Sequence, residues 1–363
     1  MQPSLQPSPA MSAAPVRRDR RAHLPAAVER ALEWVLSAPL RDDDGVLRSW
    51  SGGARAGFRY PEATGFLVGV LLDLHRRTGA AELLHEARRS AAALVGASHA
   101  SGGFGRDSVL YAFDSGVCLA AWTRLLEYDG HDPHPGLRDA TRETARYLED
   151  AFRERRAAHD AASGEPLAPR RWSSTFGPHQ LKAVHALIAA ERLGLVSGAS
   201  GAVRTWADEV CARYWHDDHF HWHPGRCATY AHAHCYALEG LLAFRRDGQL
   251  GERATALARA GAEWLAQVQD PSGAIPTWYG TADEPALHAA DVAAQAVRIW
   301  AVLDRARFAA PIERALRFLE GLTEPCGGVR YATTSDERSS WATLFTVQAV
   351  ALARLGPSDD PIA

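Results

Sequence analysis

Residues Glu62–Leu74 read EATGFLVGVLLDL, one charged residue followed by an almost unbroken apolar run. The same pattern returns at Asp114 (DSGVCLAAWTRL), His179 (HQLKAVHALIAA), His232 (HAHCYALEGLLAF), Asp291 (DVAAQAVRIWAVL) and Trp341 (WATLFTVQAVALA). The interval is about 56 residues, a period that marks a repeat architecture. Ala and Leu dominate the runs, which favours helix over strand. A helix that is apolar nearly all round must be buried on all sides.

A second kind of segment lies between these runs. Leu24 to Leu36 places Leu24, Val28, Leu32, Val35 and Leu36 on one face and Glu29, Arg30 and Glu33 on the other. Glu82–Val95, Leu137–Phe152, Val203–Trp215, Ala254–Val268 and Ile312–Leu319 repeat the i, i+3, i+4, i+7 spacing of helices with one wet side. About twelve helices therefore alternate between buried and amphipathic. An open superhelix of hairpins leaves both layers exposed along its sides, whereas a closed double ring covers the apolar helices completely. The expected fold is all-α, an (α/α)6 toroid of six helical hairpins. It is expected to span residues 23–357 as one domain, with tails at 1–22 and 358–363.

The connections are asymmetric. Turns from inner to outer helix are short, as at Thr78-Gly79 and Arg246-Asp247-Gly248. The returns from outer to inner helix are long and carry Trp50, Gly102-Gly103-Phe104, Phe220-His221-Trp222, Trp278-Tyr279 and Gly327-Gly328. Long loops at one end of a rigid ring are where binding and catalysis concentrate. The polar residues that open the inner helices lie at that same end and converge on the axis.

The chain has 363 residues, 40 Lys+Arg against 43 Asp+Glu, and a net charge of −3. That balance speaks against a nucleic-acid or polybasic membrane-surface protein. No run approaches the length of a membrane span. Five cysteines at irregular spacing suit a reduced, cytoplasmic protein. Arg17, Arg18, Arg20 and Arg21 follow a Pro- and Ser-rich start without the apolar stretch of a secretory signal, which reads as a solvated tail.

Glu62, Asp114, His179 and His232 are the candidate acids and bases, since carboxyl and imidazole groups on opposing walls can give and take protons. Helix capping is the bland alternative for Asp114 and Asp291 and explains the histidines less well. His232 and Tyr236 share a helix face, as do Asp291 and Gln295. Candidate binding residues are the aromatic platforms Trp172, Trp278, Tyr279, Tyr236 and Trp341, with Asp291, and with Arg106 or Arg330 to pair a carboxylate. Such rings stack on sugars and also suit isoprenoid cations.

Three metal patterns are weaker. His219, His221 and His223 would share one side of an extended segment and could bind adventitious zinc, copper or nickel. Cys227, His234 and Cys235, with Cys118 and Cys326 at the same end, lack a CxxC pair and read as ordinary small apolar residues. Asp42-Asp43-Asp44 looks like a diphosphate–magnesium motif but sits in a turn before Gly45. No phosphate-binding glycine loop or nucleophile elbow is present, and no metal or organic cofactor is expected.

The motifs Tyr60–Gly65 (YPEATG), Gly102-Gly103-Phe104 with Phe113–Gly116 (FDSG), Tyr230–Leu242, Asp291–Trp300 and Ser340–Ala349 together resemble six-hairpin toroid proteins of bacterial exopolysaccharide gene clusters. These are similar in fold to N-acylglucosamine 2-epimerases, toroidal glycoside hydrolases and the terpenoid cyclase/prenyltransferase group. The resemblance covers most of the chain after residue 24. It implies a toroid acting on a saccharide, as an epimerase, isomerase or hydrolase. It also implies a pair of histidines across the ring, a role His179 and His232 could match. The chain lacks the acidic DxDD cluster of the cyclases and has His234-Cys235 where lanthionine cyclases have Cys-His. Two further readings stay open: a terpenoid-cyclising or lipid-binding toroid, and a non-catalytic toroid that binds a glycan or protein.

Overall fold

A computed structural model describes residues 23–356, apart from 55, 131–133, 169–171, 224–226, 247–250 and 283–286. The Arg17–Arg21 cluster, both expected tails and the Asp247-Gly248 turn lie outside the described residues.

Twelve α-helices are described, and they alternate as the apolar pattern requires. The outer ones are α1 (Ala26–Val35), α3 (Ala81–Ala97), α5 (Leu137–Arg153), α7 (Ala199–Tyr214), α9 (Gly251–Val268) and α11 (Ala309–Leu322). The inner ones are α2 (Pro61–Thr78), α4 (Ala112–Asp129), α6 (Leu181–Arg192), α8 (Ala231–Ala243), α10 (Ala290–Asp304) and α12 (Ser340–Leu355). Each inner helix packs on the next, and α12 returns to α2, so the inner ring closes. Every described residue of α10 from Ala290 to Ala301 is buried, whereas α5 buries one stripe: Leu137, Ala140, Thr141, Thr144, Ala145 and Leu148. The chain is an (α/α)6 toroid. Among the described residues no helix is long and apolar enough to cross a membrane.

Glycines set how closely the inner helices approach. A Cβ on Gly116 would lie 2.3 Å from Ala183 Cβ, and one on Gly240 would lie 2.3 Å from the Leu181 carbonyl carbon. The α4–α6 and α6–α8 contacts are therefore backbone-close, and the first turns of these helices are held near the axis.

Four of the long returns share one turn. In Asp42–Val46, His99–Gly103, Asp270–Ala274 and Glu324–Gly328, the first N–H donates to the fifth carbonyl and the fourth residue's N–H donates back to the first carbonyl, at 2.8–2.9 Å. The fourth residue is glycine with φ between +85° and +94°. Gly273 presses on the Arg314 carbonyl of α11 and Gly327 on the Arg30 carbonyl of α1, so each turn is seated on the following outer helix.

Short antiparallel ladders tie the loops together. They are β1 (Trp50–Ser51), β2 (Phe104–Arg106), β3 (Val109–Tyr111), β4 (Ala158–Asp160), β5 (Trp215–His216), β6 (His219–Phe220), β7 (Thr229–Tyr230), β8 (Trp278–Tyr279) and β9 (Arg338–Ser339). Strand β3 lies between β2 and β4, β5 pairs β6, and β7 pairs β8. The pairing of β1 with β9 joins the first and last hairpins, reinforced by Ser340 Oγ donating to the Ser49 carbonyl at 2.9 Å.

Candidate functional site at the loop end of the ring

The first turns of the inner helices bring Glu62, Asp114, His232 and Asp291 to one end of the ring, and a 3-10 turn at Pro178–Gln180 brings His179 there ahead of α6. All five are buried, between 1% and 4% exposed. The indole of Trp172, from the α5–α6 loop, packs edge-on to His179 at 5.1 Å and to His232 at 5.5 Å. Tyr236, one turn below His232, forms the floor. Its ring meets His232 (4.5 Å), Phe113 (4.6 Å) and the stacked Phe66 (6.4 Å).

One wall carries a carboxyl pair. Tyr60 donates its hydroxyl to Glu62, and Glu62 and Asp114, on adjacent inner helices, are close enough for each to shift the other's titration. Burial, then the Asp114 charge, holds Glu62 well above the usual carboxylate range. Burial also raises Asp114, to about 6, against the opposing pull of Arg106. Two neighbouring buried carboxyls cannot both ionise cheaply, so Glu62, the more strongly raised of the two, is the one that keeps its proton. The β2–β3 hairpin delivers Arg106 to this wall. Its Nη1 is 3.8 Å from Asp114 Oδ2 and its guanidinium lies over Phe58 (4.7 Å) and Tyr111 (5.0 Å).

The opposite wall, on α8 and α10, carries an imidazole with a carboxylate behind it. Asp291 Oδ2 stands 3.5 Å from His232 Nδ1 and accepts from Trp341 Nε1 at 3.0 Å, while Oδ1 accepts from the Val292 N–H at 2.8 Å. A carboxylate facing Nδ1 favours the tautomer with its proton there and leaves Nε2 as the basic nitrogen. Asp291 is thus more than a helix cap. His179 is pushed down to about 3 by burial, with His232 adding to the effect, so it is neutral at pH 7. The neighbouring Gln180 amide nitrogen lies 3.3 Å from its Nε2.

Below Tyr236 a buried ionic layer crosses the ring. Glu239 pairs with Lys182 at 2.7 Å and with Arg298 at 2.9 Å. Sequence reasoning did not select Glu239, Arg298, Tyr60 or Gln180. The signal for the first two was a charge inside an otherwise apolar run.

The structure does not gather all the candidate binding residues. Trp278 stacks on Tyr230 at 4.6 Å, and Trp341 packs against Trp50 and Tyr60 at 5.5 and 5.7 Å while its indole N–H holds Asp291. Tyr279, next along β8, turns to the other side, onto Trp264 at 5.4 Å, and is 45% exposed. Successive strand residues face opposite ways, so Trp278 and Tyr279 cannot form one wall. Arg330 is held against Glu324 at 3.1 Å and the Gly321 carbonyl at 3.2 Å, at the end of the outer helix α11.

The metal patterns resolve into other contacts. His219 stacks on Trp264 at 4.3 Å, and His234 accepts from the Phe220 N–H at 3.1 Å, anchoring the β5–β6 hairpin. Asp42 pairs with Arg48 at 2.7 Å and Asp44 with Arg59. Cys118, Cys211 and Cys235 are buried free thiols, and Cys227 and Cys326 are exposed. Among the described residues no group of three or more His, Cys, Asp or Glu is placed to hold a metal ion.

No protein-family model matches the sequence, and no curated protein matches it. Solved structures do match in fold. One is a cellobiose 2-epimerase from Bacillus thermoamylovorans B4167, at 11% identity and a TM-score of 0.68 over 89% of this chain and 98% of that chain. A D-mannose isomerase matches at 12% identity and 0.68 over 90% and 96%. An unsaturated glucuronyl hydrolase specific for heparin matches at 13% identity and 0.66 over 90% and 95%.

Proposed function

We propose that the chain is a carbohydrate-active enzyme that moves protons on a saccharide bound at the loop end of the ring, as an epimerase or isomerase does. What supports this is His232, with Asp291 3.5 Å from its Nδ1, on the wall opposite the buried Glu62 and Asp114, whose proton affinity burial raises. In this reading His232 Nε2 takes the proton from the carbon beside an open-chain sugar carbonyl. The Glu62–Asp114 pair protonates the carbonyl oxygen, giving an enediol. As a carbonyl re-forms, an enediol hydroxyl gives its proton back to the Glu62–Asp114 pair. Reprotonation of the same carbon on its opposite face yields an epimer. Protonation of the former carbonyl carbon, with the carbonyl re-forming beside it, yields an isomer. Atoms and electrons balance without any cofactor. His179, neutral and beside Trp172, is placed to hydrogen-bond a sugar hydroxyl.

Hydrolysis is the second reading, favoured by the likeness in fold to a glucuronyl hydrolase. Two-carboxylate glycosidases hold their carboxyl groups about 5–9.5 Å apart, with the sugar between them. Glu62 and Asp114 lie on adjacent helices as a coupled pair on one wall, not facing each other across the sugar, which favours the proton-transfer reading. The chain lacks the DxDD cluster of the terpenoid cyclases, and the funnel walls carry the buried Glu62, Asp114 and Asp291, which disfavours a purely apolar lipid pocket. A bacterial polysaccharide pathway and a cytoplasmic location remain part of the proposal, carried by the motif resemblance and the cysteine usage.

The test is incubation of the purified protein with free aldoses, ketoses, disaccharides and uronic acids in deuterated water, read by NMR. Deuterium entering at C2, abolished in His232→Ala, supports the proposal. Release of monosaccharide from a glycoside without exchange at C2 moves the assignment to hydrolysis. Neither result with any sugar, while loop-aromatic variants lose glycan binding, leaves a binding protein.

A further inference from the structure

We infer that the cleft between α5, the His99–Gly103 turn and β4 is a second saccharide site, outside the funnel, that takes an uncharged sugar residue. This goes beyond the proposed reaction and rests on different residues. The cleft has a volume of about 350 Å³, at the low end of the range for small-ligand pockets. Glu143, Arg146, Tyr147 and Asp150 line it from one face of α5, at i, i+3, i+4, i+7 spacing, and Arg156 and His159 line it from the other side. Its walls are rigid. A Cβ on Gly102, at φ +85°, would lie 2.6 Å from the Glu143 carbonyl, so the turn is seated on α5, where Thr144 Oγ1 donates to the Gly102 carbonyl at 2.7 Å. Tyr147 and His159, 7% and 6% exposed, pack ring to ring at 5.5 Å. In the sheet register His159 lies beside Leu110 and Gly105, so it faces away from the side that carries Arg106 to Asp114.

The lining selects the chemistry of the occupant. Arg146 and Arg156 donate hydrogen bonds and accept none, whereas ionised Glu143 and Asp150 accept and do not donate. Arg156 Nη2 pairs with Glu154 at 3.2 Å, but its Nε is buried with no hydrogen-bond partner among the described residues. Asp150 accepts from Arg153 at 2.7 Å and keeps further lone pairs. Burial, then the Arg156 and His99 charges, hold His159 below the ordinary imidazole range, so it adds no charge at pH 7. Two cations against two anions leave no excess to hold an ion. A phosphate would meet Glu143 and Asp150, and a metal ion would meet the guanidiniums. The occupant must accept from one set and donate to the other. A hydroxyl does both, and a sugar presents several side by side. Tyr147 and His159 add ring surface to the same cleft, against which the C–H groups of a sugar can lie.

The experiment uses sugars that cannot open to a free carbonyl, methyl β-glucoside and methyl β-cellobioside, so binding is read apart from exchange at C2. Crystals of the full chain are soaked in each. Affinity is measured by calorimetry for the unaltered chain, Glu143→Ala and Arg146→Ala, both at exposed positions. The expected results are sugar density against Arg156 and Tyr147, and a binding event weakened about tenfold or more in each variant, with deuterium exchange on free sugars unchanged. Density in the funnel alone, with equal binding by all three chains, overturns the inference and leaves the proposed reaction standing. Density in the cleft, with no exchange on any free sugar, upholds the inference and removes the reaction. Displacement of the glycoside from the cleft by glycine or sodium glucuronate, either binding more tightly, overturns the assignment of an uncharged ligand.

Discussion

Asp291 stands behind His232, 3.5 Å from Nδ1, and is itself fixed by the Trp341 indole and the Val292 N–H. A carboxylate held from two sides cannot turn away from the imidazole, so it governs which ring nitrogen is basic. Asp291→Asn keeps the shape and removes that control. It should lower kcat of the sugar reaction by about 10²–10⁴-fold with an unchanged melting temperature. Steady-state kinetics with a far-UV melt checks this, and full activity in the variant would remove Asp291 from the mechanism.

The carboxyl wall predicts a pH profile. Asp114 is raised to about 6 and Glu62 well above the carboxylate range, so the pair loses its protons in two steps. Activity should fall as pH rises far enough for Glu62 to lose its proton, because the pair then has none to give. Arg106 pulls Glu62 down, so Arg106→Gln should move the alkaline limb of kcat/KM to higher pH. An unmoved limb would show that another group sets it.

Acid stability follows from the buried imidazoles. His179 and His234 are each pushed down to about 3, chiefly by burial. The unfolded chain takes up these protons near 6.5 and the folded chain does not, so the stability they confer is full above about 6.5 and is lost as pH falls toward 3. The raised carboxyls act the other way, since their protonation between about pH 4 and 6 favours the fold. Comparing variants separates the two. His234→Asn keeps an acceptor for the Phe220 N–H and should flatten the acid decline in melting temperature relative to the unaltered chain. Parallel curves would refute the assignment.

Glu239 joins Lys182 and Arg298 in the interior. Glu239→Ala strands two buried cations and should cost about 3–5 kcal/mol in urea unfolding. A loss below about 1 kcal/mol would mean that the layer admits water freely.

Gly327 combines φ of +94° with a Cβ position 2.3 Å from the Arg30 carbonyl oxygen. Gly327→Ala should therefore lose about 1–3 kcal/mol, measured the same way. Gly321, on the helix before it, has open space around its Cβ position and should tolerate alanine.

The ring was legible because burial writes itself into composition. Helices such as α4 and α10 are surrounded on every side, and their sequences are apolar on every side. The convergence of Glu62, Asp114, His179, His232 and Asp291 followed from one geometric fact, that parallel inner helices start at the same end. Pairing was not legible. Nothing in the spacing of Glu62 and Asp114 says that they influence each other, because that depends on the lateral distance between α2 and α4. Tyr279 and Arg330 lie apart from the other candidate residues for a related reason. Each lies in a return loop, and which way a loop side chain faces is decided by strand pairing and by local partners such as Glu324. The shared glycine turn was visible only as scattered Gly-Gly pairs, since its identity resides in backbone hydrogen bonds.

The β1–β9 ladder joins Trp50 to Ser339, and Ser340 reaches back to Ser49. Contacts this distant in sequence are slow to form and come late in folding. During synthesis the first two hairpins, with Tyr60, Glu62, Arg106 and Asp114, can pair long before Asp291 and Trp341 leave the ribosome. A growing chain would then possess its proton donor while still lacking an oriented base, as an open arc without catalytic competence. Chemistry would switch on in a single event, when the last hairpin shuts the circle.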